Sequence, residues 1–421
     1  MHQFIYRNFY NTSVSFQVFN RSTKVKLALD IDIDELRAQL DHVRSLKWTQ
    51  QEINYLKAQE FYGKRDLFSS AYLDYLQKSF KLSDYTLEVT EDGQLLLTFH
   101  GTWCETSPWE IYALEIINEM RYRRIMAKMS KLDLDVMYAQ AKTKAYRKAK
   151  KLALLPNLKI TDFGTRRRHS HLWQEYIILL YREVLGDRFV GTSNVYFAMK
   201  HGLPAIGTNA HEMPMVYAAL AAGHKGSDED IRQAQYQFLR DWQRDYRGGL
   251  LVFLPDTFGT TQFLKGAPYE LKEWRGARPD SKKPIPGGEE LVAWWKDHGE
   301  PLEDKLIVFA DGLDVRIDGF EPNGEDITAI YNHFEPMGVG HTYGLGTMGT
   351  CDFLGCHPDD TAQHSVMKPI SLVCKVSEAE GEPAVKLSDN FEKATSINPE
   401  TVERYRAIFG TEGMENVPVN V

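Results

Sequence analysis

Two runs in the middle of the chain hold residue types that could do chemistry. Arg188-Phe189-Val190 breaks into Gly191-Thr192-Ser193-Asn194, and Leu203 to Ile206 breaks into Gly207-Thr208-Asn209-Ala210-His211-Glu212. An apolar strand that ends in Gly-Thr and restarts as a helix brings backbone N–H groups and hydroxyls to the C-terminal edge of an α/β sheet, where ligands bind. His211 would stand at the mouth of that edge. A lone histidine at a helix start is more often a surface cap, so its weight depends on the company it keeps.

That company comes from further strand ends. Ile160 to Gly164 runs into Thr165-Arg166-Arg167-Arg168, and Gly249 to Pro255 into Asp256-Thr257. Trp274 to Ala277 is followed by Arg278-Pro279-Asp280-Ser281, and Leu306 to Ala310 by Asp311-Gly312-Leu313-Asp314. Gly338 to Thr347 closes on Gly344-Leu345-Gly346-Thr347. Arginines such as Arg166 and Arg278 grip a carboxylate or phosphate bidentately, and Gly-rich turns offer N–H groups to phosphate. Aspartates suit sugar hydroxyls or a hydrated Mg²⁺ carried by a diphosphate. The set fits a phosphorylated sugar and a small anion better than a peptide or an apolar ligand. Asp314 and Arg167, taken singly, read as ordinary loop residues.

Five or six strands closing on Gly plus Asp, Thr or Arg predict a parallel α/β barrel over about 151–350 with its ligand at the strand ends. An open doubly wound sheet is the rival, but no GxGxxG and no GxxxxGK[ST] run supports it. Residues 1–150 read as an α+β domain: a strand at Val14–Phe19, helices at Asp34–Leu46 and Glu52–Gln59, and a hairpin of Tyr85–Val89 with Leu95–Phe99. A long helix follows from Pro108. The basic run Lys142 to Lys151 is expected to be a solvated helix face rather than an anion site. Residues 351–421 read as two strands around Glu378–Gly381 and a helix near Thr401–Phe409, returning to the first domain.

Composition bounds the partners. The 421 residues are 43 % hydrophobic and 26 % charged, the balance of a globular protein with a core, and the formal charge of −8 argues against nucleic acid as the main partner. No apolar run approaches a bilayer span, and MHQFIYRNFYNTS lacks a signal-like apolar stretch. A cytoplasmic location with no membrane partner is expected. Cys104, Cys351, Cys356 and Cys374 read as reduced thiols, with a metal site at Cys351, Cys356 and His357 a minor alternative.

Asp162 to Arg168, GTSN at 191–194, GTNAHE at 207–212, Arg278-Pro279-Asp280-Ser281 and the Gly344–Thr347 turn resemble the nicotinate phosphoribosyltransferase family, in matching order from the first residues to about Asn390. The resemblance implies an atypical parallel α/β barrel beside an α+β domain built from both chain ends, and a homodimer. It implies transfer of a phosphoribosyl group from phosphoribosyl pyrophosphate to nicotinate, coupled to ATP hydrolysis and assisted by Mg²⁺. By motif, His211 would be phosphorylated from ATP; Thr208 and Arg278 would contact nicotinate, Phe163 would pack on its ring, and Arg166 would lie near its carboxylate. Asn194 would join this substrate site, where relatives that use nicotinamide carry an acidic residue after Gly-Thr. Asp280 and Asp311 would face the ribose hydroxyls, and Gly346 with Thr347 the phosphate. Two departures stand out. Lys282-Lys283 replaces the family's usual Gly-Asp, and a tyrosine-bearing segment is expected upstream of Met1. A nicotinamide-using relative, an aldolase- or isomerase-type sugar-phosphate barrel, and a non-catalytic paralogue are the alternatives.

Overall fold

A computed structural model describes residues 1–60, 65–320, 323–361 and 364–417. In chain order the strands are β1 (Ser13–Asn20), β2 (Asp84–Val89), β3 (Leu95–Thr102), β4 (Ile160–Asp162) and β5 (Phe189–Thr192). β6 (Val252–Phe253), β7 (Gly276–Ala277), β8 (Leu306–Phe309), β9 (Leu313–Asp314), β10 (Glu325–Asp326) and β11 (Gly340–Leu345) follow. β12 (Leu372–Ala379) and β13 (Glu382–Pro383) complete the set.

They form a mixed α/β fold with two main sheets. The first is antiparallel, in the order β13-β12-β1-β3-β2. β1 alternates as a half-buried strand should: Val14, Phe16 and Val18 face the core, and Phe16 lies opposite both Phe99 and Val376. The helix Trp109–Met126 starts at Pro108, and Trp109 stacks on Phe99 with centroids 4.5 Å apart. Burying such a ring stabilises the fold by about 1.5–3 kcal/mol.

The second sheet is parallel, in the order β5-β4-β11-β8-β7-β6. The expected strand at Leu203–Ile206 is reduced to a single bridge between Thr192 and Ala205. Thr192 N donates to Pro204 O at 3.2 Å and Ile206 N to Thr192 O at 3.0 Å, after which the segment leaves the ladder. Asn209 Nδ2 then reaches Val252 O at 2.9 Å, so a side chain stands where a ladder bond to β6 would be. β9 and β10 make a separate two-stranded pair.

The basic run corrects its expected role. It belongs to the helix Lys131–Leu152, yet Lys144 and Lys148 are buried. Lys144 Nζ lies 2.6 Å from Asp352 Oδ1, and Lys148 pairs with both Asp352 and Asp314. Asp314 is likewise no ordinary loop residue: it is buried in β9 and accepts from Val315 N and Asn323 N. These charges are inward because β9 and the stretch after the helix Thr347–Thr350 bring carboxylates to meet them, which helical periodicity does not report. All four cysteines are buried and unpaired, and among the described residues no helix is long and apolar enough to cross a membrane.

Lys148→Met strands the Asp314 carboxylate without its cation, so the variant is expected to lose about 3–5 kcal/mol of stability. Denaturant unfolding should show that loss, and adding Asp314→Asn should return part of it.

Candidate active site

The C-terminal ends of the parallel strands converge on one cluster. β4 ends at Asp162, and Phe163 and Gly164 follow into a single helical turn, Thr165–Arg167. Two glycines let this turn sit against its neighbours. A Cβ on Gly344 would lie 2.3 Å from the Phe163 ring, and one on Gly164 would lie 2.2 Å from Thr350 Oγ1. The Phe163 ring then faces Arg278, whose guanidinium carbon is 5.7 Å from the ring centroid. Arg278 extends β7, its N–H donating to Phe253 O at 2.8 Å. Its side chain donates to Thr208 Oγ1 at 2.8 Å and to Asp280 Oδ1 at 2.9 Å. Burial pushes the Asp280 carboxyl up, but Arg278 and His211 outweigh it and hold it at about 2.

His211 opens the helix Glu212–Gly223 without capping it and is only 4 % exposed, so it is not a surface cap. Its Nε2 lies 2.9 Å from Asp256 Oδ1, and its Nδ1 lies 3.9 Å from Asp280 Oδ2. Asp256 has no exposure at all. Its other oxygen is 2.8 Å from Ser281 Oγ and 3.4 Å from Lys386 Nζ. Ser281 Oγ also lies 3.1 Å from Asp389 Oδ2. Burial raises the Asp256 pKa, and His211 together with the Lys386 ammonium more than reverses that, so the carboxylate stays ionised. Burial lowers the His211 pKa against the pull of Asp256, which favours a neutral ring donating Nε2–H to Asp256 and keeping a lone pair on Nδ1.

A second charged group lies behind the first. Glu110 accepts from Lys375 Nζ at 2.7 Å and pairs with Arg166; burial raises its carboxyl, and the two cations bring it down to about 2. Glu212 accepts from Ser107 Oγ at 2.7 Å and Trp103 Nε1 at 3.3 Å, and its Oε2 has no hydrogen-bond partner. Burial, then the Glu110 charge, pushes Glu212 up to about 7.

Such a site joins a nucleophilic imidazole, an arginine–aromatic slot and ribose-compatible carboxylates at one sheet edge. Comparison with known proteins gives the family. A profile of the nicotinate phosphoribosyltransferase (NAPRTase) family matches residues 158–413, and one of the NAPRTase N-terminal domain matches residues 1–118. The chain belongs to the nicotinate phosphoribosyltransferase family. Solved structures agree. A putative nicotinate phosphoribosyltransferase from Saccharomyces cerevisiae is 28 % identical, with a TM-score of 0.80 over 98 % of this chain and 95 % of that one. One from Vibrio cholerae is 25 % identical, with a TM-score of 0.82 over 98 % and 91 %. One from Porphyromonas gingivalis, at 22 % identity, shares the fold with a TM-score of 0.79 over 97 % of each chain.

Within this phosphoribosyltransferase, the structure brings Phe163, Thr208, His211, Arg278 and Asp280 into one cluster and leaves other expected residues at its margins. Arg166 is tied to Glu110 and partly exposed. Asn194 caps the helix Val195–His201 through Phe197 N at 3.1 Å. Asp311 is exposed, with φ of +66°, and pairs with Lys393. Gly346 and Thr347 start the short helix Thr347–Thr350. Arg167 donates to Ile370 O at 3.2 Å. Sequence reading passed over the partners of His211. Asp256 follows the most continuous apolar run and could have been found by that signal, whereas Lys386, Asp389, Lys375 and Glu110 lie outside any strand-end motif. Lys282 pairs with Glu290 and donates to Thr261 Oγ1 at 2.9 Å, and Lys283 is an exposed residue at the start of the helix Pro284–Asp297.

Glu212 gives a pH test with a definite sign. Its pKa is about 7 in the fold, against 4.5 for an ordinary glutamate. The folded state therefore binds the extra proton between those values, and the group's cost appears as pH rises through about 7. Glu212→Gln should match the parent protein at pH about 4 and be more stable above pH about 7. Melting temperatures of both proteins across this range check it; a constant difference would refute the assignment.

Proposed function

We propose that the protein condenses nicotinate with phosphoribosyl pyrophosphate to give nicotinate mononucleotide and pyrophosphate, coupled to ATP hydrolysis through a phosphohistidine at His211. The observation that carries the reading is the buried His211–Asp256 pair opening onto the Phe163, Thr208, Arg278 and Asp280 cluster, 2.9 Å separating the imidazole from its carboxylate. The parallel strands and the 203–211 segment would together make the α/β barrel typical of the family.

Each residue then has a physical task. Asp256 fixes the ring and stabilises positive charge on it, and Nδ1 presents the lone pair to the γ-phosphoryl group of ATP, displacing ADP; water later takes the phosphoryl group off the ring as phosphate. Arg278 and Arg166 offer charge-assisted bonds to the nicotinate carboxylate, and the Phe163 face packs on the pyridine ring. When the anomeric C–O bond breaks, positive charge grows on the ribose and negative charge on the departing diphosphate, so Asp280 and Asp311 would face the first and Lys386 the second. Asp256 and Asp280 are already matched by Lys386 and Arg278, although His211, Asp256 and Asp280 bring ligand atoms within 4.8 Å of one another. A resident metal therefore fits this set poorly. Mg²⁺ fits instead as a counter-ion that would enter with the diphosphate and offset its phosphate charge. Gly346 and Thr347 would receive the 5′-phosphate and Asn194 would border the pyridine site. A cytoplasmic homodimer working in NAD salvage is the setting this reading implies.

The reading is tested by incubating the purified protein with labelled nicotinate, phosphoribosyl pyrophosphate and Mg²⁺, with and without ATP. Nicotinate mononucleotide should form and ATP should stimulate it; no product under either condition would sink the proposal. His211→Ala should take no label from γ-labelled ATP and lose the ATP stimulation, while slow ATP-independent transfer persists.

Substrate choice gives a separate prediction. Losing a buried charge-assisted bond costs about 1.5–3 kcal/mol, or roughly ten- to a hundred-fold in affinity. Nicotinate should therefore be preferred over nicotinamide by about that margin, and Arg278→Lys should weaken nicotinate more than phosphoribosyl pyrophosphate. Competition between the two pyridines at equal concentration measures it, and equal turnover would refute it.

A further inference from the structure

Asp162 is 3 % exposed at the end of β4, between β5 and β11. Its carboxylate accepts three hydrogen bonds from neutral donors: Gly164 N–H to Oδ1 at 2.8 Å, Gln174 Nε2 to Oδ2 at 2.8 Å, and Thr192 Oγ1 to Oδ2 at 2.6 Å. Its backbone carbonyl takes a fourth, from Ser193 N at 2.8 Å. Residues 30 positions apart in sequence are thereby joined at one side chain.

The direction of each bond is forced. The Thr192 hydroxyl spends its proton on Asp162, so its oxygen accepts Asn194 N–H at 2.9 Å. Gln174 cannot turn its amide over, because its Oε1 takes Arg168 NH1 at 3.4 Å while its Nε2 also reaches Thr165 Oγ1 at 2.9 Å. Every neighbour points a donor inward, and only an acceptor-only group satisfies them all. Burial pushes the Asp162 pKa up, and the Thr192, Gly164 and Gln174 bonds oppose it. An amide of the same shape would set its NH₂ against a donor and leave a buried group unsatisfied.

We propose that Asp162 is a positioning residue for the pyridine subsite, holding the Phe163–Arg166 turn and the Thr192–Asn194 turn in register through Gly164, Gln174 and Thr192. It touches no substrate itself. Phe163, the ring facing Arg278, is its chain neighbour, and Gly164, two residues on, is the turn's anchor. Asp311 and the Gly346–Thr347 turn, assigned to ribose and phosphate, take no bond from the Asp162 carboxylate, and Thr350 Oγ1 links the two sides, reaching Gly164 O at 3.2 Å and Gly346 O at 3.3 Å. This inference rests on the nicotinate reading for its substrate, and its geometry stands apart from it.

The test uses Asp162→Asn and Thr192→Val in the full chain. Steady-state KM is read for nicotinate and for phosphoribosyl pyrophosphate, and amide hydrogen exchange is followed over 163–168 and 192–195. Asp162→Asn should raise the nicotinate KM about tenfold with the other KM changed less than about twofold, and should speed exchange in both turns. Thr192→Val should speed exchange only over 192–195. Faster exchange in one turn alone for Asp162→Asn, or both KM values rising together, would overturn the proposal. If Asp162→Asn does not fold, the readout in Thr192→Val is Ser193 N–H, which donates to the Asp162 carbonyl: unchanged exchange there overturns the proposal and faster exchange supports it, whereas Asn194 N–H loses its Thr192 acceptor in either case. If the parent protein makes no product from nicotinate, the functional reading fails, and the exchange pattern still decides the role of Asp162.

Discussion

A carboxylate with no solvent exposure cannot stay ionised unless the fold delivers donors and a cation to it. Asp256 is that group, and three separate segments meet its demand. His211 comes from the turn leading out of the 203–211 segment, Ser281 from the turn after β7, and Lys386 from the stretch beyond β13. Lys386 and Asp256 are 130 residues apart in sequence. The chain beyond the parallel sheet is thus part of the site, and pairing of β12 with β1 is what carries it back there. Removing any one partner would leave a buried charge short of compensation, a larger penalty than losing a surface contact.

Charge is distributed in depth rather than spread evenly. The whole chain is acidic, at −8, yet Arg21, Arg166, Arg167, Arg278, Lys375, Lys386 and Lys393 gather around Asp256, Asp280, Asp311 and Glu110. Burial lowers the pKa of Lys386 and of Arg167, the latter to about 10, and neighbouring carboxylates counter it. Cations held partly desolvated in this way interact strongly with an arriving anion, because water no longer screens them. Net charge is silent about this local excess.

The sequence was most legible where local rules decide the outcome. Alternation gives β1, Thr90-Glu91-Asp92-Gly93 gives the β2–β3 hairpin, and Pro108 starts its helix. Strand ends rich in Gly, Thr, Asp and Arg pointed to the ligand edge, and Phe163, Thr208, His211, Arg278 and Asp280 meet there. What could not be read depends on non-local pairing. Leu203–Ile206 has strand composition, but it has a ladder partner only at Thr192, so it forms one bridge. Lys144 and Lys148 look like a solvated face until Asp314 and Asp352 arrive from two segments distant in sequence. Lys386, Lys375 and Glu110 occupy an ordinary strand flank and helix, and nothing in their neighbours marks them.

Lys282-Lys283 shows how a departure from the family pattern can be absorbed. Two cations beside Asp280 and Asp389 would be expected to pull both acids down. Lys282 does lower Asp389 slightly, but burial and the Asp256 charge dominate, and Asp389 rises to about 6. Its ammonium is directed instead at Glu290, on the helix that follows, and at Thr261 Oγ1. Gly413 packs against the same place: a Cβ there would lie 2.1 Å from Thr261 Oγ1 and 3.1 Å from Lys282 Nζ, with φ at +72°. The lysine is thereby enclosed between a carboxylate and the chain's last turn. Its charge is neutralised outside the cluster, and the balance among His211, Asp256, Asp280 and Arg278 is set by those four groups and Lys386.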